Sequence, residues 1–231
     1  ADYKIMVNAH EAVRPTGVAR TYPNHIGNES ARGAEFRGSK ANHTTILPFT
    51  RLIGGPMDYT PGIFEMDPRK NRPDFTPNLN ETLAPGSVTT TLANQLGLYV
   101  VMYSPLQMAA DFIENYEKHP EAFEFIKSVP VNWDTTIVLN GEIEQFLTIA
   151  RKDKNSDNWY IGGITNEESR TLQFDLSFLD EGSYIARIYA DGDSADWESN
   201  PLDYKIFEKV VSKGELVTMK LASGGGQAIA L

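Results

Sequence analysis

The sequence predicts the C-terminal part of an α/β barrel followed by an antiparallel β-sandwich. Up to about residue 130, strand-like and helix-like stretches alternate, and most proline and glycine residues lie in long connections. After Val131 the pattern changes to short strand-like segments separated by polar turns. A complete (β/α)8 barrel needs about 250 residues, so the first half is expected to be only the closing part of one. The predicted domains are therefore residues 1–130 and residues 131–231.

The first half carries one predicted strand and three predicted helices. Residues 3–9 alternate as a strand, and polar side chains accumulate toward its C-terminal end. A helix capped by Ser87 is predicted through residues 92–100, whose apolar side chains recur at helical spacing. A serine followed by proline predicts a second helix over residues 104–116, and a third is expected from Pro120.

Eight strands are predicted in the second half. They cover residues 137–139, 146–151, 159–164, 172–176, 184–190, 205–211, 216–221 and 227–231. Polar turn clusters such as residues 153–158 and 180–183 separate them. So many short strands in about a hundred residues are typical of an antiparallel β-sandwich.

Composition excludes several classes of function. The 231 residues include 31 acidic and 21 basic side chains, giving a formal charge of -10, which is the wrong sign for a nucleic-acid partner. The absence of cysteine excludes disulfides, thiolate zinc sites and cysteine nucleophiles. No apolar run approaches the roughly 20 residues of a membrane span. Because the first residues run straight into a strand, we expect the chain to be a piece of a longer protein.

The strongest local indication of chemistry is Asn8-Ala9-His10-Glu11, at the C-terminal end of the first predicted strand. In a barrel, catalytic side chains project from that end of the strands. Glu29 and Glu35 follow in glycine-containing, partly apolar surroundings. Three carboxylates near one strand end could act as acid and base or could hold a hard cation, and each could also be an ordinary loop residue. Asp58 is an additional candidate for the lining of the same pocket.

Several uninterrupted motifs resemble glycoside hydrolase family 97. They are VNAHE (7–11), RPTG (14–17), RTYPN (20–24), NESARGAE (28–35), TILPFTR (45–51), GPMDYTPG (55–62), MYSPLQMAAD (102–111), YAD (189–191), ADW (195–197) and GGG (224–226). The resemblance covers essentially the whole chain, in order. Members of that family have an N-terminal β-sandwich, a (β/α)8 barrel and a C-terminal β-sandwich, so the resemblance implies the last barrel strands and the C-terminal sandwich here.

The resemblance also implies a reaction. The family contains inverting α-glucosidases and retaining α-galactosidases, and the inverting branch is similar to this chain in having a glutamate after Asn-Ala-His. By that similarity Glu11 is the base that activates water, and Glu35 is the general acid. Glu11, Glu29 and Glu35 would be ligands of a Ca²⁺ ion, and His10 and Glu11 would contact the sugar. An inverting site needs its two carboxyl groups about 6.5–9.5 Å apart, so that a water molecule fits between them.

The resulting prediction is the C-terminal part of a calcium-dependent, inverting α-glucosidase that acts on starch-type oligosaccharides in the bacterial periplasm. Its partners would be an α-linked oligosaccharide and the upstream part of the same protein, without which we expect the 231 residues to be inactive. A retaining α-galactosidase of the same family is one alternative. A non-catalytic carbohydrate-binding module, with the sandwich as its functional part, is another.

Overall fold

The computed structural model describes residues 2–34, 39–66 and 88–231. The helices within these ranges are α1 (Val18–Thr21), α2 (Ala41–Thr44), α3 (Leu92–Val101), α4 (Ile113–Glu117) and α5 (Pro120–Ser128), with short 3-10 helices at Leu47–Phe49 and Arg51–Gly54. The strands are β1 (Val7–Ala9), β2 (His25–Asn28), β3 (Ser39–Lys40), β4 (Val88–Thr89), β5 (Trp133–Glu142), β6 (Phe146–Asp153), β7 (Trp159–Thr165), β8 (Arg170–Asp175), β9 (Ser183–Asp191), β10 (Tyr204–Ser212), β11 (Leu216–Leu221) and β12 (Gly226–Ala230).

The second half consists of two antiparallel sheets. Six strands pair in the order β10-β9-β12-β7-β6-β5, and β11 pairs with β8 in a second, narrower sheet. All eight predicted strands are present. Apolar side chains between the sheets form a core that includes Ile161, Phe174, Met219 and Ile229. This arrangement agrees with the β-sandwich that the sequence predicts.

The other face of the six-stranded sheet is covered by helices of the first half. Every residue of α3 is buried, and α3 packs across β7 and β12. Two glycines allow this close approach: a Cβ added to Gly162 would lie 2.5 Å from the carbonyl oxygen of Gly97. Phe125 of α5 packs beside Tyr160 and Tyr189 on the same face. The larger hydrophobic core therefore contains side chains from both halves of the chain.

The first half contains two short parallel strand pairs, β1 with β2 and β3 with β4. Strand β1 is shorter than predicted, because its pairing with the following segment begins where Val7 N donates to Asn24 O at 2.8 Å. Tyr3 and Ile5, which the alternating pattern placed on one face of the strand, are exposed. Among the described residues, no helix is both long and apolar enough to cross a membrane.

Helices α3 and α5 confirm two helix predictions, whereas the predicted helix over residues 104–116 is wrong. Only α4 is helical there, because the preceding backbone bonds to other parts of the chain. Ala110 N donates to Pro61 O, and Met108 O accepts the hydroxyl of Tyr99 at 2.8 Å. Ser87, the predicted cap of α3, lies outside the described residues; Thr91 takes that role by accepting a hydrogen bond from Asn94 N.

Candidate active site

The ends of two parallel strands bring the candidate residues together. Ala9 of β1 is paired with Asn28 of β2, and Glu29 N donates to Ala9 O at 2.9 Å. Since parallel strands end at the same edge of a sheet, His10 and Glu11 emerge beside Glu29. The geometry thus joins three of the predicted site residues at one place.

Glu29 is a buried carboxylate of this site, with only 2% of its surface exposed. Its Oε2 atom accepts the backbone N–H of Glu11 at 2.9 Å and lies 3.8 Å from Nδ1 of His10. Its Oε1 atom is buried and has no hydrogen-bond partner within the described ranges. A buried carboxylate oxygen in that condition needs a donor or a cation. By contrast, Glu11 is exposed.

Asp58 completes the cluster from the segment that follows the second 3-10 helix. It is fully buried, and its Oδ2 atom accepts the side-chain amide of Asn8 at 2.7 Å and lies 2.8 Å from Nε2 of His10. The backbone N–H of Thr60 points to its Oδ1 atom at 3.3 Å. Asp58 therefore contacts Asn8 of β1 and also His10, which lies just beyond the end of that strand.

The backbone turns sharply at Glu11, directly after Glu29 and two residues after Asp58. Glu11, Ser30 and Thr60 have positive φ angles of 54°, 49° and 57°. Residues other than glycine rarely adopt this conformation, and it costs on the order of 1–3 kcal/mol. Such strain clusters at functional sites, where surrounding contacts hold it in place.

Arg51 fixes the backbone beneath the site. Its guanidinium donates to the carbonyl oxygens of Asn28, Glu29, Gly55 and Pro56 at 2.6 to 3.1 Å. Burial lowers the pKa of Arg51. One side chain thereby ties the end of β2, which carries Glu29, to the segment that leads into Asp58.

The segment after Asp58 is held equally firmly. Gln95 of α3 accepts the backbone N–H groups of Gly62 and Ile63, and Asp111 accepts those of Phe64 and Glu65. Tyr116 donates to Gly62 O at 2.7 Å. The Asp58 side of the site therefore rests on the layer of helices that covers the six-stranded sheet.

The predicted calcium ligands fit a metal only in part. No group of three or more histidine or acidic side chains suited to a metal ion occurs among residues 2–34, 39–66 and 88–231. Glu35, the third predicted ligand and the predicted general acid, lies outside the described residues. The buried Oε1 of Glu29, which has no hydrogen-bond partner among the described residues, fits a cation, because Ca²⁺ prefers carboxylate oxygens. The calcium prediction therefore stays a prediction.

Sequence reasoning predicts His10, Glu11 and Glu29 as site residues and gives less weight to Asp58 and Arg51, which the structure places beside them. Asp58 was only one candidate among several, and its fully buried position beside His10 could not be read from chain positions 48 residues apart. Arg51 belongs to the TILPFTR motif but gave no local signal, since its partners are backbone oxygens from two separate segments.

Known proteins resemble the chain along its whole length. Residues 132–231 match the family model described as "Glycosyl-hydrolase 97 C-terminal, oligomerisation", and residues 1–31 match "Glycoside hydrolase 97". A glycoside hydrolase family 97 enzyme from Pseudoalteromonas sp. strain K8, solved in complex with acarbose, is 42% identical with a TM-score of 0.89. A structure of a variant of that enzyme in complex with panose is 41% identical with a TM-score of 0.88. Each match covers 99% of this chain and 35% of the other.

Among curated proteins, a retaining α-galactosidase of Bacteroides thetaiotaomicron is 35% identical over 99% of this chain. The match covers 34% of that protein. The chain thus spans about a third of the length of the relatives that it resembles.

Proposed function

Because this chain belongs to glycoside hydrolase family 97, we propose that it is the C-terminal part of a calcium-dependent, inverting α-glucosidase acting on starch-type oligosaccharides. Residues 1–130 would be the closing part of its (β/α)8 barrel, in keeping with the parallel pairs β1–β2 and β3–β4. An upstream part of the same protein would supply the rest of the barrel, and we place the enzyme in the bacterial periplasm.

The observation that carries the proposal is Glu11 at the end of β1, next to His10 and bonded through its backbone to Glu29. A glutamate at this position is the feature expected of an inverting member of the family. The relative solved with panose, an oligosaccharide of α-linked glucose, is also more similar to this chain than the retaining α-galactosidase is, at 41% against 35% identity.

In the proposed reaction, each side chain has one task. Glu11 accepts a proton from the attacking water, and Glu35 donates a proton to the departing glycosidic oxygen. His10, fixed by Asp58, contacts the sugar. The two carboxyl groups must differ in their protonation, which requires different surroundings.

Glu11, Glu29 and Glu35 would hold the Ca²⁺ ion. When bound, the ion would favour the ionised form of Glu11. Glu29 is the ligand best supported, because its Oε1 atom is buried without a partner in the described part of the chain. In the whole protein, chelation should lower activity and added Ca²⁺ should restore it. We expect Glu29→Gln to weaken Ca²⁺ binding measured by calorimetry, and an unchanged affinity would remove Glu29 from the ligand set.

A retaining α-galactosidase is the second candidate, favoured by the name of the Bacteroides relative. Nitrophenyl α-glucoside and α-galactoside, given to the whole protein, distinguish the two substrates. NMR of the first sugar released distinguishes the mechanisms, since inversion produces the β-anomer and retention the α-anomer. Release of α-galactose would replace our proposal with this second candidate.

The role of Glu35 has its own test. In the whole protein, Glu35→Gln should lower turnover of oligosaccharides by about 10²–10⁴-fold, because positioned acid catalysis contributes that much. A substrate with an activated leaving group should lose far less, since its departing oxygen needs little protonation. Equal losses on both substrates would contradict the assignment.

A further inference from the structure

We propose that Asp58 is a positioning residue that sets the ring orientation of His10, and through it the affinity of the site for sugar. The inference rests on the proposed function for the identity of the sugar. The geometry involves only residues of this chain and does not depend on the proposed function. Asp58 would not touch the substrate; it would act through His10.

One ring nitrogen of His10, Nε2, faces Asp58. Oδ2 of Asp58 lies 2.8 Å from Nε2 of His10. We assign the hydrogen of this bond to Nε2, because carboxylate oxygens act as acceptors. Turning the ring by half a turn would place a carbon against Asp58 and lose this bond. The ring therefore has one favoured orientation, with Nδ1 on the side of Glu29 at 3.8 Å from its Oε2 atom.

Asp58 is itself held rigidly. Its carboxylate is fully buried and also accepts the amide of Asn8, so it cannot rotate without breaking two side-chain bonds. The flanking backbone is fixed by Met57 N, which donates to Tyr103 O, and by Arg51, which holds Pro56 O. A residue held in this way transmits a fixed geometry to its partners.

A double-mutant cycle in the whole protein tests the inference. Asp58→Asn should weaken acarbose binding, measured by calorimetry, by about 10- to 100-fold, by analogy with the loss on removing the outer hydrogen-bond partner of a metal-ligating histidine. His10→Ala should weaken it as well. The double variant should be no worse than His10→Ala alone, because Asp58 acts through that ring. Additive losses would overturn the proposal, as would an Asp58→Asn variant with unchanged affinity.

Asp111→Asn is the matched control. Asp111 also holds the segment after Asp58, through Phe64 N and Glu65 N, but it makes no hydrogen bond to His10. It should lower the melting temperature and leave acarbose affinity within about twofold. If Asp111→Asn weakened binding as much as Asp58→Asn, general loosening of the segment would explain both, and the proposal would fail.

A spectroscopic measurement separates this inference from the proposed function. The chain has four histidines, so the His10 signals can be identified in ¹⁵N spectra as those missing from His10→Ala. The proposal requires Nε2 to carry hydrogen in the unmodified protein, and a bare Nε2 would overturn it even if Asp58→Asn failed to fold. A protein without α-glucosidase activity but with this ring state would contradict the proposed function alone.

Discussion

Arg51 shows how much of the site depends on a single side chain. A lysine in its place could donate from one nitrogen only, whereas the guanidinium reaches four carbonyl oxygens. We expect Arg51→Lys to lower the free energy of unfolding by about 2–4 kcal/mol, since several half-buried carbonyls lose a charged donor. Chemical denaturation of the variant measures the loss.

The matched control is Arg32→Lys, because Arg32 is exposed on the same part of the chain. Its replacement should change stability by no more than about 0.5 kcal/mol. Equal losses in both variants would mean that the hydrogen bonds of Arg51 contribute little.

At the scale of single elements, the N-terminus of α3 depends on the second half of the chain. The Thr91 hydroxyl accepts Asn94 N and donates to Oδ1 of the buried Asp191 at 2.6 Å. Thr91→Ala removes a cap worth about 1 kcal/mol and leaves a buried carboxylate oxygen unsatisfied, for a loss of roughly 2–4 kcal/mol. Thr91→Ser keeps the hydroxyl and should lose about 1 kcal/mol in the same unfolding experiment. Equal losses would exclude a role for the hydroxyl.

Asp191 makes the same junction sensitive to pH. Burial raises its pKa to about 6, although hydrogen bonds from Thr91, Ala222 and Gly226 oppose the shift. Because the folded state binds the proton more tightly, the stabilisation is complete below the unfolded pKa and disappears as pH rises through about 6. Between pH 4 and 7 this amounts to roughly 2 kcal/mol.

Comparison with Asp191→Asn isolates that contribution, because asparagine keeps the shape and does not titrate. Unfolding should show the variant gaining roughly 2 kcal/mol relative to the original chain as pH rises from 4 to 7. A constant difference over this interval would show that Asp191 is ionised throughout.

Helices and strands differ in how far the sequence could predict them. Most strands of the second half were predictable, since they are short segments that alternate in polarity or are apolar throughout, with polar turns between them. The absence of a helix over most of residues 104–116 was not predictable, because backbone groups of this segment find distant partners; Ala110 N, for example, donates to Pro61 O. Asp58 and Arg51 escaped for a related reason: their partners are distant in the chain and meet only in the folded state.

At the scale of the whole molecule, the two halves stabilise each other. The outer face of the six-stranded sheet carries buried apolar side chains, among them Leu147, Tyr160, Ile164 and Tyr189, which belong to the core shared with α3 and α5. A fragment of residues 132–231 would expose this face. We expect it to unfold at a lower temperature than the 231-residue chain and to bind a hydrophobic dye.

The control fragment begins at residue 88 and keeps α3, α4 and α5. It should bind little dye and unfold close to the temperature of the longer chain. If the shorter fragment were equally stable, the helices would be an accessory layer, and the second half would be an independent folding unit.

Strand β12 lies at the centre of the six-stranded sheet, between β7 and β9, although it follows every other strand in the chain. During synthesis, β5–β7 and β9–β10 can each pair with their neighbours, but the two groups can join only after residue 230 has left the ribosome. Until then, β7 and β9 present open edges, and such edges recruit other chains or chaperones. A chain that stops before residue 226 should therefore aggregate, because β7 and β9 would have no strand between them.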